Sequence, residues 1–399
     1  MKHLRKLAGI SILMTLIFMV IAIFQFQTKE EQELLPDQIT YYLQDDWSVA
    51  LPDASELSAA DLQHPQTVTA LYASAQAAGR CHKTKLPYTG GQNTAGTVIF
   101  QTTLATNYAG LTLDFSSKNA ALHVILDGET LYQYDPSITM AADMEHFVDL
   151  PVQLEHGDFY IALTALKQDA APTLGEICAE SRDMTMIGIV GNNLGDIGCC
   201  LLIIIMSIIM FVLALIRRYT GQPPRGEGYL GLAGLAAGLY CFIGTDTLNI
   251  FYNLQEAYEM QEYLVLLLPL FLTQYFERNL HCVYPRRFSM LLSFVSIHAV
   301  LQIALHLFGI RDMKDMLDLS AVTIFIVCIT AIASLLQYDY SHKSFQTVFA
   351  VFAMLVLLCG GIANVILNTL IDGAHINTAG QYSMTVFGIL MAAMHIYRL

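Results

Sequence analysis

A chain of 399 residues that is 55% hydrophobic and only 14% charged, with a mean hydropathy of +0.49, is too apolar for a disordered segment or an ordinary soluble globule. Several of its apolar runs approach the roughly 20 residues needed to cross a bilayer as a helix, so the composition points to an integral membrane protein. A formal charge of −14 at pH 7 argues against nucleic acid and anionic lipid as partners of its acidic part, since both would be repelled.

The first apolar run, Leu7 to Phe26, reads "LAGISILMTLIFMVIAIFQF" and follows Lys2, His3, Arg5 and Lys6. It is long for the core of a signal peptide, and no small-residue cleavage pattern precedes "QTKEEQE". We therefore read residues 1–27 as a retained signal anchor with a cytoplasmic N-terminus. Residues 28–194 follow as an exported domain with no run long enough to span. Residues 28–193 carry 22 acidic and 7 basic side chains against 12 and 13 in the rest of the chain, so the net negative charge belongs to this region.

The exported region reads as β. "GTVIFQTTLA", "AGLTLDFSS", "ALHVILDGETLYQYD", "EHFVDLP" and "GDFYIALTAL" are short runs rich in β-branched and aromatic residues, bounded by Gly, Asn, Asp or Pro. Asp127 and Gly128 supply a hairpin turn inside the third run. Strands at this spacing suggest an all-β sandwich or jelly roll. "ELSAADLQHPQTVTALYASAQAAGR" fits a short helix or irregular strands. Trp47, Tyr108, Tyr132 and Tyr134 are the aromatic candidates for binding a sugar or another amphipathic small molecule, although alternate aromatics in a sandwich more often fill its core. Tyr132 and Tyr134 are two apart on one strand and face the same way. Cys81 and Cys178 are the two exported cysteines. A bridge between them would close a loop of about 100 residues, and a reducing habitat would leave them as thiols.

Residues 195–399 contain seven further apolar segments, placed at roughly 195–216, 228–246, 258–276, 288–309, 318–337, 345–369 and 379–397. With the N-terminus inside, Lys2, Arg5, Lys6, Arg217, Arg218, Arg225, Arg278, Arg286, Arg287, Lys343 and Arg398 fall on the cytoplasmic side. The short external loops carry Arg311 and Lys314. That bias places Leu399 in the cytoplasm. The expected fold is thus a membrane α-helical bundle, an N-terminal anchor plus seven transmembrane helices, with an extracytoplasmic all-β jelly-roll-like domain.

An anchor, an exported β-domain containing "HVILDGETLYQYD" and "HFVDLP", and then seven hydrophobic helices together resemble the bacterial seven-transmembrane receptors with diverse intracellular signalling modules. The resemblance rests on architecture and on a "DGE-x-x-Y" hairpin. It implies a multi-pass protein of the bacterial plasma membrane, an external jelly roll that binds a small and often carbohydrate-like molecule, and a cytoplasmic diguanylate cyclase, histidine kinase or phosphatase as effector. No cyclase loop, phosphoacceptor region or ATP-binding glycine-rich segment occurs in this sequence. The expectation is either the sensory part of a longer polypeptide or signalling through a separate partner, with a homodimer left open.

Polar residues within the apolar segments are the remaining candidates. His298, Gln302 and His306 lie along one face of the fourth segment. The two histidines stand about 12 Å apart along the axis, too far to share a metal ion. Asn364 and Asn368 share a face of the sixth, just after Gly360 and Gly361. Gly228, Gly231, Gly234 and Gly238 form a smooth contact face on the second. Pro269 kinks the third. Asp246 is a ligand candidate for an external vestibule beneath the β-domain. The other six cysteines show no C-x-x-C spacing. No catalytic, metal or cofactor site is expected, and the chain reads as a receptor rather than an enzyme. The alternative is a membrane transporter or transferase that uses the polar faces of the fourth and sixth segments.

Overall fold

The computed structural model describes residues 10–11, 13–21, 40–52, 64–89, 96–135, 144–166, 171–222, 226–245, 247, 255–280, 284–308, 310–311, 313, 316–342, 345–370 and 378–397. They divide into two compact units: Pro36–Gly191 with Asp246–Gln255, and Asn192–Thr245 with Glu256–Leu399 and the stretch up to Leu35.

The first unit is β-rich. Its strands are β1 (Tyr41–Tyr42), β2 (Trp47–Ala50), β3 (Cys81–Thr84), β4 (Tyr88–Thr89), β5 (Thr97–Ala105), β6 (Thr112–Lys118), β7 (Ala120–Leu126), β8 (Glu129–Tyr134), β9 (Met144–Asp149), β10 (His156–Ala165) and β11 (Thr173–Glu180). They form two antiparallel sheets, one in the order β1-β11-β6-β9 with β4 also paired to β11, the other β3-β2-β5-β10-β7-β8. The five expected runs correspond to β5, β6, β7 with β8, β9 and β10. At the β7–β8 turn Asp127 and Gly128 both take positive φ, 50° and 81°, the backbone that a tight right-twisted hairpin requires.

Alternation along the strands sends Val49, Phe100, Ile161 and Val124, aligned across four neighbouring strands, into the core, where all four are buried. Tyr88 of one sheet meets Phe100 of the other edge to face at 5.1 Å. The ambiguous early segment contains a helix, α1 (Pro65–Ala77), opened by Pro at its first turn. Its buried face, Val68, Tyr72 and Ala75, packs on Ala50, Ile99, Ile125 and Ala162. The spacings of three and four residues put those side chains on one helical face. After β11 comes α2 (Arg182–Asn192), whose Arg182 pairs with Asp149 of β9.

The second unit is helical. Helices α3 (Leu194–Tyr219), α4 (Glu227–Ile243), α5 (Gln255–Leu280), α6 (Pro285–Leu307), α7 (Leu317–His342), α8 (Phe345–Leu370) and α9 (Thr378–Tyr397) match the seven expected segments one for one. Among the described residues four stretches are long and apolar enough to cross a membrane by length and composition, Leu194–Tyr219, Arg286–Leu307, Leu319–Tyr338 and Thr347–Leu367. The apolar helix α4 has 17 residues, α5 opens on acidic residues and α9 on Thr, Gly, Gln and Ser. Residues 13–21 of the expected anchor are helical, and Phe18 and Met19 pack against Ala363, Leu367 and Ala379 of α8 and α9.

The glycine face of α4 sets a close approach to α3. A Cβ on Gly238 would stand 2.7 Å from Ile204 of α3, and one on Gly234 would run into Ser207. The backbones meet where side chains are missing. Seam residues recur every three or four positions on both helices, as in an antiparallel coiled coil. Gly360 of α8 likewise admits Ser383 of α9. Thr273 bonds to the carbonyl of Pro269 at 2.7 Å.

Candidate functional site

Four buried polar side chains from four helices converge at one end of the helical unit. Arg217 stands in the last turn of α3, and Glu227 is the first residue of α4. Tyr275 lies near the end of α5, and His395 in the last turn of α9. Arg217, Glu227 and His395 are each 1% exposed and Tyr275 2%. The Arg217 Nε lies 3.0 Å from Glu227 Oε1, His395 Nδ1 lies 3.5 Å from the same oxygen, and His395 Nε2 is 2.9 Å from the Tyr275 hydroxyl.

Local chain geometry makes the convergence. The α3–α4 connection returns the chain through Gly226, which caps α4 with φ of 82°, a region that L side chains avoid. A Cβ at Gly226 would also stand 3.2 Å from the Tyr275 carbonyl and from the Arg278 side chain. A glycine here therefore lets Glu227 begin its helix directly against the end of α5. The rings of Tyr275, Phe276 and Phe288 form the apolar wall, with centroid spacings of 5.0 and 6.4 Å. A carboxylate and a guanidinium taken out of water are costly unless paired, so the position of each helix end depends on the others.

Just inside this cluster, α3, α4, α5, α8 and α9 line a partly open pocket of about 40 Å³. Its walls are apolar, Met206, Met210, Leu272, Met384 and Phe387 among them, and Ser207 is the sole polar side chain. The Ser207 hydroxyl is satisfied by the Ile203 carbonyl at 2.7 Å. An unfilled space beside flexible methionines gives the packing room to rearrange.

The sequence candidates are distributed differently. Gln302 is the centre of a second network between α6 and α7. Its amide nitrogen donates to His298 Nε2 at 3.1 Å and to the Met316 carbonyl at 3.2 Å, while its oxygen accepts from Ser320 at 3.0 Å. Because that amide nitrogen can only donate, His298 Nε2 accepts and its ring proton sits on Nδ1. His306 lies apart, its ring edge to face with Tyr263 at 6.3 Å. Asn364 borders Gly380 of α9. Asp246 and the side chain of Asn368 lie outside the described residues.

In the β-rich unit, Trp47 is 0% exposed, stacks edge-on against Phe100 and Phe159, and donates its indole N–H to the Leu43 carbonyl at 2.7 Å. The alternation of β2 turns this ring inward, so it is a core residue with no face open to a ligand. Tyr132 and Tyr134 are also buried. Both pack on the ring of His146, a residue the sequence reading passed over, at 5.6 and 5.1 Å. His146 is bonded on both nitrogens, to Ser117 Oγ at 2.8 Å and to the Tyr132 hydroxyl at 3.1 Å. Burial lowers its pKa to about 3 and pushes Tyr134 up to about 12, with help from Tyr132. Tyr108 is half-buried beside Tyr41, ring to ring at 5.4 Å. It alone of the four aromatics keeps partial access to solvent. Cys81 on β3 and Cys178 on β11 lie in opposite sheets as thiols and are not bridged.

The sequence signal for the four-helix cluster was present but distributed. Arg217 counts in the sequence only as one of the cytoplasmic-side charges, and Tyr275 and His395 are 120 residues apart. Among the described residues no group of three His, Cys, Asp or Glu side chains is placed to hold a metal ion. No protein-family model and no curated protein matches the chain.

Proposed function

We propose that this chain is the sensory part of a transmembrane receptor of the bacterial plasma membrane. The β-rich unit lies outside the cell and binds a small molecule, carbohydrate-like by the resemblance noted above. The helical unit carries the change to a cytoplasmic signalling module at the end of α9, a cyclase or kinase on the same or a separate polypeptide. The observation that carries this reading is the Arg217–Glu227–His395–Tyr275 network. It ties the last turn of the final helix to three others, so a shift of any one is felt where an effector would attach. A ligand moves such an equilibrium only by binding one packing better than the other.

Seven crossings fit the helix directions. α4 starts beside Arg217 and ends beside the first half of α3, where Gly238 meets Ile203 and Ile204. α5 starts against the end of α4, with Gln261 bonded to the Tyr240 carbonyl at 3.1 Å, and returns to Glu227. α9 starts beside Ala363 and Leu367 of α8 and finishes at the same cluster. The apolar lining of that pocket supports a relay over a transport path for polar solutes.

The test uses the full chain in lipid nanodiscs, with hydrogen exchange of residues 388–397 as readout. Glu227→Gln leaves Arg217 without its counter-charge, a loss of about 3–5 kcal/mol for a buried pair, and should speed exchange in this segment at least tenfold. A stabilising compound from a thermal-shift screen of sugars, peptides and lipids should change exchange in the same segment. A compound that binds yet leaves 388–397 unaltered, together with solute uptake abolished by His298→Ala, would place the chain among transporters instead.

A further inference from the structure

Strand register decides which parts of the β-rich unit leave it together. Thr112 opens β6 and pairs with Asp149, the last residue of β9, and with Glu180, the last of β11. The chain before β6, the chain after β9 and helix α2 therefore emerge from the same end of one sheet. Arg182, the first residue of α2, closes that end by its ion pair with Asp149. Among the described residues the exposed large apolar side chains of this unit are Tyr42 at 46%, Val152 at 82% and Ile187 at 65%. All three belong to this end. Tyr42 pairs with Cys178, two residues before Glu180, Val152 follows shortly after β9, and Ile187 is on α2. Beside them the half-buried Tyr41 and Tyr108 meet ring to ring at 5.4 Å.

Helix α2 is apolar without being packed. Met184, Met186, Ile187, Ile189 and Val190 fill most of it, yet among its described side chains only Thr185 is buried. At 11 residues it rises about 16 Å, too little to cross roughly 30 Å of hydrocarbon. Single exposed apolar side chains need no explanation, whereas a collected set marks a contact surface.

We propose that this end of the β-rich unit, with Val152, Ile187 and Tyr42 at its tip, rests in the headgroup interface of the lipid bilayer. The inference rests on the reading of α3 as a membrane span, and it adds which surface of the exported unit turns to the lipid. Chain length favours lipid over a protein partner. α2 ends one residue before Leu194, where a stretch long and apolar enough to cross a membrane begins. Arg182 is thereby tethered within about 20 Å of the bilayer, the rise of a helix of that length. The side chains suit the place, since a tyrosine ring sits in the interface with its hydroxyl in water, and a short apolar helix lies along it. Arg182 offsets the charge of Asp149, while the exposed Glu155 and Asp183 oppose an anionic surface. The lipid is therefore a zwitterionic one.

The test again uses the full chain in nanodiscs, made of phosphatidylcholine that is either plain or brominated on the upper part of its acyl chains. An added indole is the probe, and the single native tryptophan, Trp47, is fully buried in the β-core and gives a constant background. The Val152→Trp protein should lose most of its added emission to the bromines. So should Leu201→Trp, at a position of α3 that is 49% exposed. Thr89→Trp should lose none, because Thr89 pairs with Thr173 at the other end of the sheet. The eight residues of β11 separate the two ends by about 24 Å. Loss at Leu201 without loss at Val152 overturns the inference and leaves the membrane reading standing. A blue-shifted indole at Val152 that the bromines do not quench assigns the surface to a protein partner or a second copy, and overturns it equally. No loss at Leu201 overturns the membrane reading and this inference together.

Discussion

His146 of β9 concentrates the acid sensitivity of the β-rich unit in one ring. The folded chain holds it neutral between Ser117 and Tyr132, while the unfolded chain protonates it near the ordinary value of about 6.5. Between that value and about 3 the unfolded state binds the extra proton, so this stabilisation is complete above about 6.5 and is lost as pH falls. The slope from one such group is about 1.4 kcal/mol per pH unit. Glu180 works the other way, since burial raises its carboxyl more than the Thr185 hydrogen bond lowers it. That contribution is present at low pH and fades as pH rises. The single tryptophan, Trp47, reports on this core. Denaturant unfolding followed by its fluorescence should show the unit losing stability from pH 7 to pH 5. In His146→Phe the unit should be weaker at pH 7 by about 1–3 kcal/mol, because Ser117 and Tyr132 lose a partner, but flatter with pH. Equal slopes in the two proteins would remove His146 as the cause. The sequence allowed Tyr132 and Tyr134 either a surface or a core role. What decided it was a histidine on another sheet, a pairing across strands that no local pattern contains.

At the scale of elements, the legible parts were those with strong periodicity. The glycine face of α4 was readable because its spacing matches one side of a helix, and the Asp127–Gly128 turn because few residues accept positive φ. Strands β1, β3 and β4 were not, since they are two to four residues long and owe their conformation to partners. β11 was hidden because Gly175 and Glu176 interrupt its apolar pattern, at the irregular register between Leu174 and Ile177. The seam makes a graded prediction. Gly238→Leu places carbon where Ile204 already lies 2.7 Å from a Cβ, and should destabilise the helical unit by about 1–3 kcal/mol through overpacking. Gly228→Ala meets only the Ala214 methyl at 3.9 Å, and should be neutral or stabilising by up to about 1 kcal/mol from helix propensity. Thermal inactivation midpoints in detergent would rank the two. A Gly238→Leu protein as stable as the wild type would mean that α3 and α4 are not closely packed.

For the whole molecule, helix length and apolarity count four candidate crossings among the described residues, whereas the proposed receptor topology needs seven. The difference has a physical origin. A helix held inside a bundle can carry polar groups toward its neighbours, as α5 carries Gln261 to the Tyr240 carbonyl and α9 carries His395 to Tyr275, and each such group lowers the average by which a span is judged. If α3, α6, α7 and α8 alone crossed, α9 would end on the side where α8 ends, away from the close of α3. Yet His395 shares a carboxylate with Arg217 of α3. The close of α3 and the close of α9 therefore share one end of the helical unit, and the receptor proposal sets that end in the cytoplasm. Tyr219 and Tyr397, exposed at 91% and 81%, offer sites for tags at both positions. In intact cells an impermeant protease should digest the β-rich unit and leave both tags whole, and permeabilised cells should lose them. A tag after Tyr397 that is cut from outside while one at Tyr219 is protected would break the link between the two helix ends, and with it the route by which α9 could carry a signal inward.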